Sequence, residues 1–171
     1  MKAKRLSVLF ISILVLMSGI ALHGAKIKGK VIFVEDGDTI KIALRGKSLD
    51  VRFAGADCPE KGQAYYEEAK EFTRKKILGK LVNLEIISYP SDTSFVARVR
   101  LEEFDMSMEL IKNGLAWYDS KTHEDKKLAK AHKKAKKSKT GLWSKPTPAA
   151  PWVYRKTQQV VSQTTETTKV E

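Results

Sequence analysis

Two short acidic segments, with one arginine between them, are the residues of this chain best suited to do chemistry. Residues 36–39 read Asp-Gly-Asp-Thr, residues 57–60 read Asp-Cys-Pro-Glu, and Arg52 lies on the alternating apolar run between them. Carboxylates at the ends of neighbouring strands can share one rim of a small sheet, where they form an incomplete site for a hard divalent cation. Acids and an arginine in this order are typical of metal-assisted cleavage of a phosphodiester.

Each of these side chains suits a particular step of such a reaction. Asp38 and Asp57 are the candidate metal ligands, because calcium takes about six to eight oxygens and accepts water and phosphate in the open positions. Magnesium is the second choice, since it also works with few carboxylates. Glu60 is suited to deprotonate an attacking water. Arg52 is suited to bind a phosphate and to offset the charge that grows in the transition state.

Taken singly, either acidic segment is a common turn sequence, and Asp36 fits a turn or supporting role. The two segments together, about 20 residues apart with a strand-borne arginine between them, are a much more specific signal. The chain has one cysteine, Cys58, so the domain has no internal disulfide. No histidine lies close to Cys58 in sequence, which argues against a cysteine nucleophile.

The elements that must position these residues follow from hydrophobic periodicity. Alternating apolar residues predict strands that form a meander, then a helix, two more strands and two further helices. The strands are predicted at residues 27–34, 39–44, 48–53, 81–87 and 95–101, and the helices at 64–78, 106–113 and 123–138. The fold class predicted is mainly β with helices (α+β), a five-stranded OB-fold barrel with about three α-helices. An α/β fold is disfavoured because no crossover helix separates the first three strands.

The chain ends are predicted to lie outside this domain. Residues 1–25 resemble a signal peptide, with a basic start and an apolar run too short for a typical membrane span; an uncleaved N-terminal anchor is the alternative. The folded domain is expected over residues 26–144. Residues 145–171 are rich in Pro, Thr and Gln and predict a flexible tail. The protein is therefore expected to be secreted or extracytoplasmic, or membrane-anchored if the signal stays uncleaved.

The charge of the chain favours a polyanionic partner. The full sequence carries 32 Lys and Arg against 20 Asp and Glu. The segment 1–25 holds three of the basic residues and none of the acidic ones, so the remainder has a net charge of +9. Such a field suits DNA or RNA. Candidate contacts are base-stacking tyrosines and lysines of the last predicted helix, namely Tyr65, Tyr66, Lys133, Lys134, Lys136 and Lys137. A solvated helix face is the plainer reading of the lysines, and a monomer is the default expectation.

The quoted acidic segments, with Val51–Arg52–Phe53 between them, resemble the staphylococcal nuclease (thermonuclease) family. Residues 113–117 (Asn-Gly-Leu-Ala-Trp) and 141–143 (Gly-Leu-Trp) resemble later motifs of that family, and the likeness covers about residues 27–144. The resemblance implies an OB barrel that hydrolyses DNA and RNA with calcium. It also implies Asp38 and Asp57 as calcium ligands, the Cys58 backbone carbonyl as a third ligand, Glu60 as general base and Arg52 as a phosphate-binding arginine.

One family feature is missing from the sequence. The resemblance implies a second essential arginine before the fifth strand, and that position falls on Ser94. Arg98 and Arg100 follow on the same predicted strand and are possible substitute phosphate-binding residues. Two other readings therefore stay open. One is a catalytically weakened OB module that binds nucleic acid without cutting it, and the other is a membrane-tethered surface protein whose basic helix contacts anionic lipid.

Overall fold

A computed structural model of the chain describes the backbone of residues 26–167 and the side chains of residues 26–160. The predicted signal peptide lies outside the described residues. In chain order the elements are β1 (Lys26–Val34), β2 (Thr39–Leu44), β3 (Lys47–Phe53), β4 (Ala56–Asp57), α1 (Tyr66–Ile77), β5 (Leu81–Ser91), β6 (Ser94–Leu101), β7 (Phe104–Asp105), α2 (Met106–Lys112), β8 (Trp117–Tyr118), α3 (Lys126–Lys137), a 3₁₀ turn (Gly141–Ser144) and α4 (Pro151–Thr167).

Five of these strands close into a barrel. Their order is β3-β2-β1-β5-β6, and all these neighbours are antiparallel. A parallel pairing between β3 and β6, with Val51 opposite Phe95, closes the ring. The predicted five-stranded OB-type barrel is therefore confirmed. The described helices number four rather than about three, and α4 is the additional one.

The core follows from the alternation of the strands. Apolar side chains on the inner faces are almost fully buried, and α1 and α2 add residues such as Ile77 and Leu110. A smaller cluster of Trp117, Ala135, Leu142 and Trp143 packs α3 and the 3₁₀ turn onto the domain, with the two tryptophan rings edge to face at 5.2 Å. The barrel is thus a rigid base for residues at its rim.

Two segments differ from the sequence-based expectation. The strands predicted at residues 81–87 and 95–101 are longer than expected, because β5 and β6 extend toward each other as a hairpin in which Ser91 pairs with Ser94. Residues 145–171 were expected to be a flexible tail, but residues 151–167 form α4. Pro151 starts that helix, where its fixed φ suits the first helical position and its missing N–H costs nothing. No helix in the described part of the chain is long and apolar enough to cross a membrane.

Candidate active site

The two acidic segments meet at one rim of the barrel, on either side of Arg52. Asp38 lies in the β1–β2 turn and Asp57 in β4, and both are almost fully buried. Arg52 Nη2 lies 2.7 Å from Asp57 Oδ1 and 3.9 Å from Asp38 Oδ2. The structure therefore brings together the two candidate metal ligands and the candidate phosphate-binding arginine, as expected for strands that end at the same rim.

Local hydrogen bonds hold the β1–β2 turn that carries Asp38. Asp36 Oδ1 accepts from the backbone N–H groups of Asp38 and Thr39 at 2.9 and 2.7 Å, which makes Asp36 a turn residue. The buried hydroxyl of Thr73 in α1 donates to the Gly37 carbonyl at 2.6 Å. A Cβ on Gly37 would lie 2.6 Å from Cys58 Sγ, so only glycine lets the two acidic segments approach this closely.

Burial sets the electrostatics of Asp38. Desolvation, followed by repulsion from Asp36, raises the pKa of Asp38 well above its ordinary value. Asp38 Oδ2 accepts the Cys58 N–H at 2.8 Å, and Oδ1 accepts the Thr39 hydroxyl at 3.2 Å. Burial and neighbouring carboxylates disfavour the ionised form of Asp38, and a cation beside it would stabilise that form.

Arg52 is the arginine that the sequence predicted beside these carboxylates. Desolvation lowers its pKa, but the carboxylates of Asp38 and Asp57 more than offset that effect, so the pKa lies above its ordinary value. In β3 it lies between Thr39 of β2 and Val96 of β6. Two neighbouring strands therefore fix its backbone, and about a third of its side chain remains exposed to solvent.

A second arginine, which sequence reasoning missed, enters the cluster from α4. Arg155 Nη2 donates to Asp57 Oδ2 at 2.8 Å, and Nη1 donates to Asp57 Oδ1 at 3.1 Å and to Glu60 Oε1. These hydrogen bonds, that to Asp57 first, raise its pKa against the desolvation of the guanidinium. Glu60 is in turn held at its backbone, where its N–H donates to Gln63 Oε1 at 2.8 Å. Two features of the sequence could have indicated this docked helix. Pro151 suits the start of a helix, and the aromatic Tyr154 just before Arg155 suits packing on the domain.

The cluster fits a hard divalent cation that needs few protein ligands. Asp38 and Asp57 present buried carboxylate oxygens, which still have lone pairs available, to one shared cationic group. Among the described residues, no group of three or more His, Cys, Asp and Glu side chains is arranged to hold a metal. The remaining ligands would therefore be water, backbone or substrate oxygens. The role of the Cys58 carbonyl as a metal ligand stays a prediction.

The possible substitutes on β6 have other partners. Arg98 Nη2 donates to Asp105 Oδ2 at 3.1 Å, and Arg100 Nε lies 3.6 Å from the same oxygen. None of the ion pairs described for these two arginines involves the acids at the barrel rim. Ser94 is half-buried at the start of β6, where its hydroxyl lies 2.8 Å from that of Ser91. The structure therefore does not bring Arg98 or Arg100 to the candidate site.

The predicted nucleic-acid contacts divide into packed and exposed side chains. Tyr65 packs against both apolar clusters, and its hydroxyl lies 3.2 Å from Ser144 Oγ, so it joins the barrel to the C-terminal segment. The Tyr66 hydroxyl lies 3.5 Å from the Glu35 carbonyl, close to the acidic turn. The lysines on α3 are exposed, and one of them, Lys136, lies over the Trp143 ring at 5.1 Å.

Cys58 has the environment of a structural thiol. It is buried, and desolvation followed by the charge of Asp38 raises the pKa of its thiol well above the ordinary value. Its backbone N–H, rather than its sulfur, contacts Asp38. Because the thiolate is the nucleophilic form, this environment argues further against a cysteine nucleophile.

A closed five-stranded barrel with paired carboxylates and arginines at one rim defines an OB-fold protein with a candidate phosphodiester site. The family model described as "Staphylococcal nuclease homologue" matches residues 50–145, more than half of the chain. The chain belongs to the staphylococcal nuclease family.

Several relatives carry nuclease names. An "Uncharacterized endonuclease" of Escherichia coli is 28% identical over 132 residues, which are 77% of this chain and 86% of that protein. An "Uncharacterized endonuclease" of Haemophilus influenzae is also 28% identical over 132 residues, with 77% and 74% covered. A "Micrococcal nuclease" of Shigella flexneri is 26% identical over 152 residues, with 77% and 82% covered.

Proposed function

We propose that this protein is a secreted, calcium-dependent nuclease that hydrolyses phosphodiester bonds of DNA, RNA or both. The observation that carries the proposal is the meeting of Asp38, Asp57, Arg52 and Glu60 at one barrel rim, linked by ion pairs. Membership of the staphylococcal nuclease family and the names of the relatives support the reaction class. Magnesium is the second candidate ion.

In this mechanism Glu60 accepts a proton from the attacking water. The water oxygen forms a bond to phosphorus, and the bond to the leaving ester oxygen breaks. That oxygen takes a proton from solvent and Glu60 returns its proton to solvent, so the net change is addition of one water. Glu60 is about one-third exposed, which lets water reach it. General-base catalysis of this kind typically contributes about 10²–10⁴-fold to the rate.

Arg52 binds the phosphate and offsets its growing negative charge. The fork of its guanidinium matches two phosphate oxygens, and the two strands that flank β3 hold the backbone of Arg52 in place. Asp38 and Asp57 would hold the cation, which supplies Lewis-acid polarisation of the phosphate when bound. The Asp36 turn and the Thr73 hydroxyl keep Asp38 in place.

The test is cleavage of single-stranded DNA by the purified protein with calcium, with magnesium and with a chelator. We expect turnover with calcium that a chelator abolishes. Glu60→Gln should reduce the single-turnover rate by about 10²–10⁴-fold. Glu67→Gln, which removes an exposed glutamate in the first turn of α1, is the matched control and should leave the rate unchanged.

A nucleic-acid-binding module without cleavage is the second candidate, and the serine at position 94 together with the lysines of α3 favours it. Salt-sensitive binding of single-stranded DNA with no turnover in any divalent ion would support this module and overturn the nuclease.

Secretion and a monomeric state are part of the proposal and rest on the sequence. The basic start and short apolar run of residues 1–25 support export, with membrane anchoring as the alternative. Sequencing the N-terminus of the protein recovered from the culture medium and from the membrane fraction tests this point. Intact residues 1–25 in a membrane-bound form would contradict secretion.

A further inference from the structure

We propose that Arg155 of α4 is a second phosphate-binding catalytic arginine of this site. The inference deepens the proposed nuclease function and rests on it. Arg155 lies 98 residues beyond Asp57 in the chain, yet it donates to both Asp57 oxygens and to Glu60. Arg52 also donates to Asp57, so the site contains two guanidinium groups that converge on one carboxylate.

The approach of Arg155 is set by several contacts of the C-terminal segment other than its own ion pairs. The Tyr154 hydroxyl donates to the Lys61 carbonyl at 3.3 Å, and Gln63 Nε2 donates to the Ala149 carbonyl at 2.9 Å. Pro151, at the start of the helix, is buried. These contacts attach the start of α4 beside the loop that carries Glu60, so Arg155 is positioned by docking of the helix.

The charge of the cluster indicates what the second arginine does. Asp38, Asp57 and Glu60 contribute three negative charges when ionised, and Arg52 and Arg155 contribute two positive ones. Asp36, whose charge also acts on Asp38, adds a fourth negative charge. With a divalent cation the net charge is zero, whereas without Arg155 it would be −1. A phosphodiester carries one negative charge, and more negative charge develops on its oxygens in the transition state, so the charge of Arg155 favours its binding at the cluster.

A cation on Asp57 would also release Arg155 for this role. Arg52 and Arg155 both contact Asp57 Oδ1, at 2.7 and 3.1 Å. A metal bound by Asp57 would compete for these same carboxylate oxygens. The side chain of Arg155 is 37% exposed, so its fork can turn to a phosphate at the rim once Asp57 is engaged.

No other described arginine near the barrel takes this position. Arg98 and Arg100 of β6 contact Asp105, and position 94 of the same strand is a serine. The C-terminal helix thus supplies a second arginine to the cluster, in addition to Arg52 from the barrel.

The experiment compares Arg155→Ala and Arg155→Lys with Lys156→Ala in the full chain. Lys156 is the next residue of α4 and is exposed, so its variant removes the same charge from the same helix. We measure the single-turnover cleavage of single-stranded DNA at saturating calcium. Arg155→Ala should reduce the rate by about 10²–10³-fold, Arg155→Lys should recover part of the loss, and Lys156→Ala should have no effect. Thermal unfolding checks that each variant is folded.

A second readout does not depend on cleavage. The probe is thymidine 5′-monophosphate, which has no internucleotide bond to cut, and its affinity is measured by calorimetry with and without calcium. Arg155→Ala should weaken binding about tenfold with calcium and much less without it, because Arg155 then stays on Asp57 and Glu60. Lys156→Ala should change neither value.

The outcomes separate the two proposals. If wild type never cleaves DNA but Arg155→Ala weakens binding of the nucleotide, the nuclease function fails and the phosphate-binding role of Arg155 stands. If Arg155→Ala cleaves as fast as wild type or faster and binds calcium more tightly, Arg155 is an inhibitory cover over Asp57, and the inference is overturned. Equal behaviour of Arg155→Ala and Lys156→Ala in both assays would also overturn it.

Discussion

Arg155 lies on the carboxylate of Asp57 with Nη1 3.1 Å from Oδ1 and Nη2 2.8 Å from Oδ2. Asp57 belongs to the barrel rim and Arg155 to the C-terminal helix, so one ion pair joins the two parts of the chain at the candidate site. The same carboxylate also accepts from Arg52. Because Asp57 is almost fully buried, water solvates its negative charge poorly, and both arginines help to neutralise that charge.

The C-terminal helix should be needed for activity but not for folding of the barrel. A chain ending at Ala150 lacks α4, whereas the buried residues of the barrel core all precede that point. We expect cooperative thermal unfolding and a single-turnover rate as low as that of Arg155→Ala. A chain ending at Val160 keeps Arg155 and is the matched control, which should retain the wild-type rate. Loss of cooperative unfolding in the shorter chain would contradict the independence of the barrel.

The Thr73 hydroxyl should couple the stability of α1 to the acidic turn. Thr73→Val removes the 2.6 Å hydrogen bond to the Gly37 carbonyl and leaves that buried acceptor without its donor. We expect a loss of about 1–3 kcal/mol in the free energy of unfolding, measured in urea. Calcium affinity should fall as well, since Gly37 adjoins Asp38.

The control for Thr73 is Thr157→Val. Thr157 is exposed on α4, and its hydroxyl donates to the Val153 carbonyl of the same helix at 3.1 Å. Water replaces that partner, so its variant should change stability by less than about 0.5 kcal/mol. An equal loss in both variants would contradict a special role for the bond to Gly37.

His132 should make the folded state sensitive to mild acid. Its ring packs edge to face on Trp143 at 5.0 Å, and its Nε2 is buried with no hydrogen-bond partner among the described residues. Desolvation, followed by repulsion from Lys136, lowers the pKa of His132 from its ordinary value of 6.5. The unfolded chain therefore binds a proton more readily, and stability should fall as pH decreases from about 6.5 toward the lower pKa of the folded state.

Urea unfolding at several pH values tests this dependence. His132→Phe keeps a ring against Trp143 but removes the titrating group, so its stability should vary less over this pH range. Thr157→Val, which removes no titrating group, should keep the wild-type profile. An unchanged profile in His132→Phe would assign the acid sensitivity to other groups.

Cys58 should be inert in the folded protein. Its thiol is buried with a raised pKa, so iodoacetamide should label it only after unfolding in guanidinium chloride. Cys58→Ala keeps the backbone N–H that donates to Asp38, and we expect it to cleave DNA within about threefold of wild type. A loss of several orders of magnitude in rate with a folded variant would indicate a nucleophilic cysteine instead.

Local sequence was sufficient to predict much of the candidate site. The turn around Gly37 and the strand that carries Arg52 depend on neighbours within a few residues, and the short β-meander leaves the acidic segments few other places to meet. Local pattern was insufficient for β6, where it identified Arg98 and Arg100 as cations without identifying their partner. The side chain of Asp105, which β7 brings beside them, decides that question.

The sequence by itself therefore predicted the barrel, the candidate metal-binding acids, the candidate base and the first arginine, because hydrophobic alternation and turn chemistry are local properties of the chain. Only the tertiary structure decided the second arginine. Arg155 reaches Asp57 because Pro151 starts a helix in a segment whose composition predicted a flexible tail, and because Tyr154 attaches that helix to the loop at Lys61. Docking between segments almost 100 residues apart depends on surfaces that exist only once the barrel has folded.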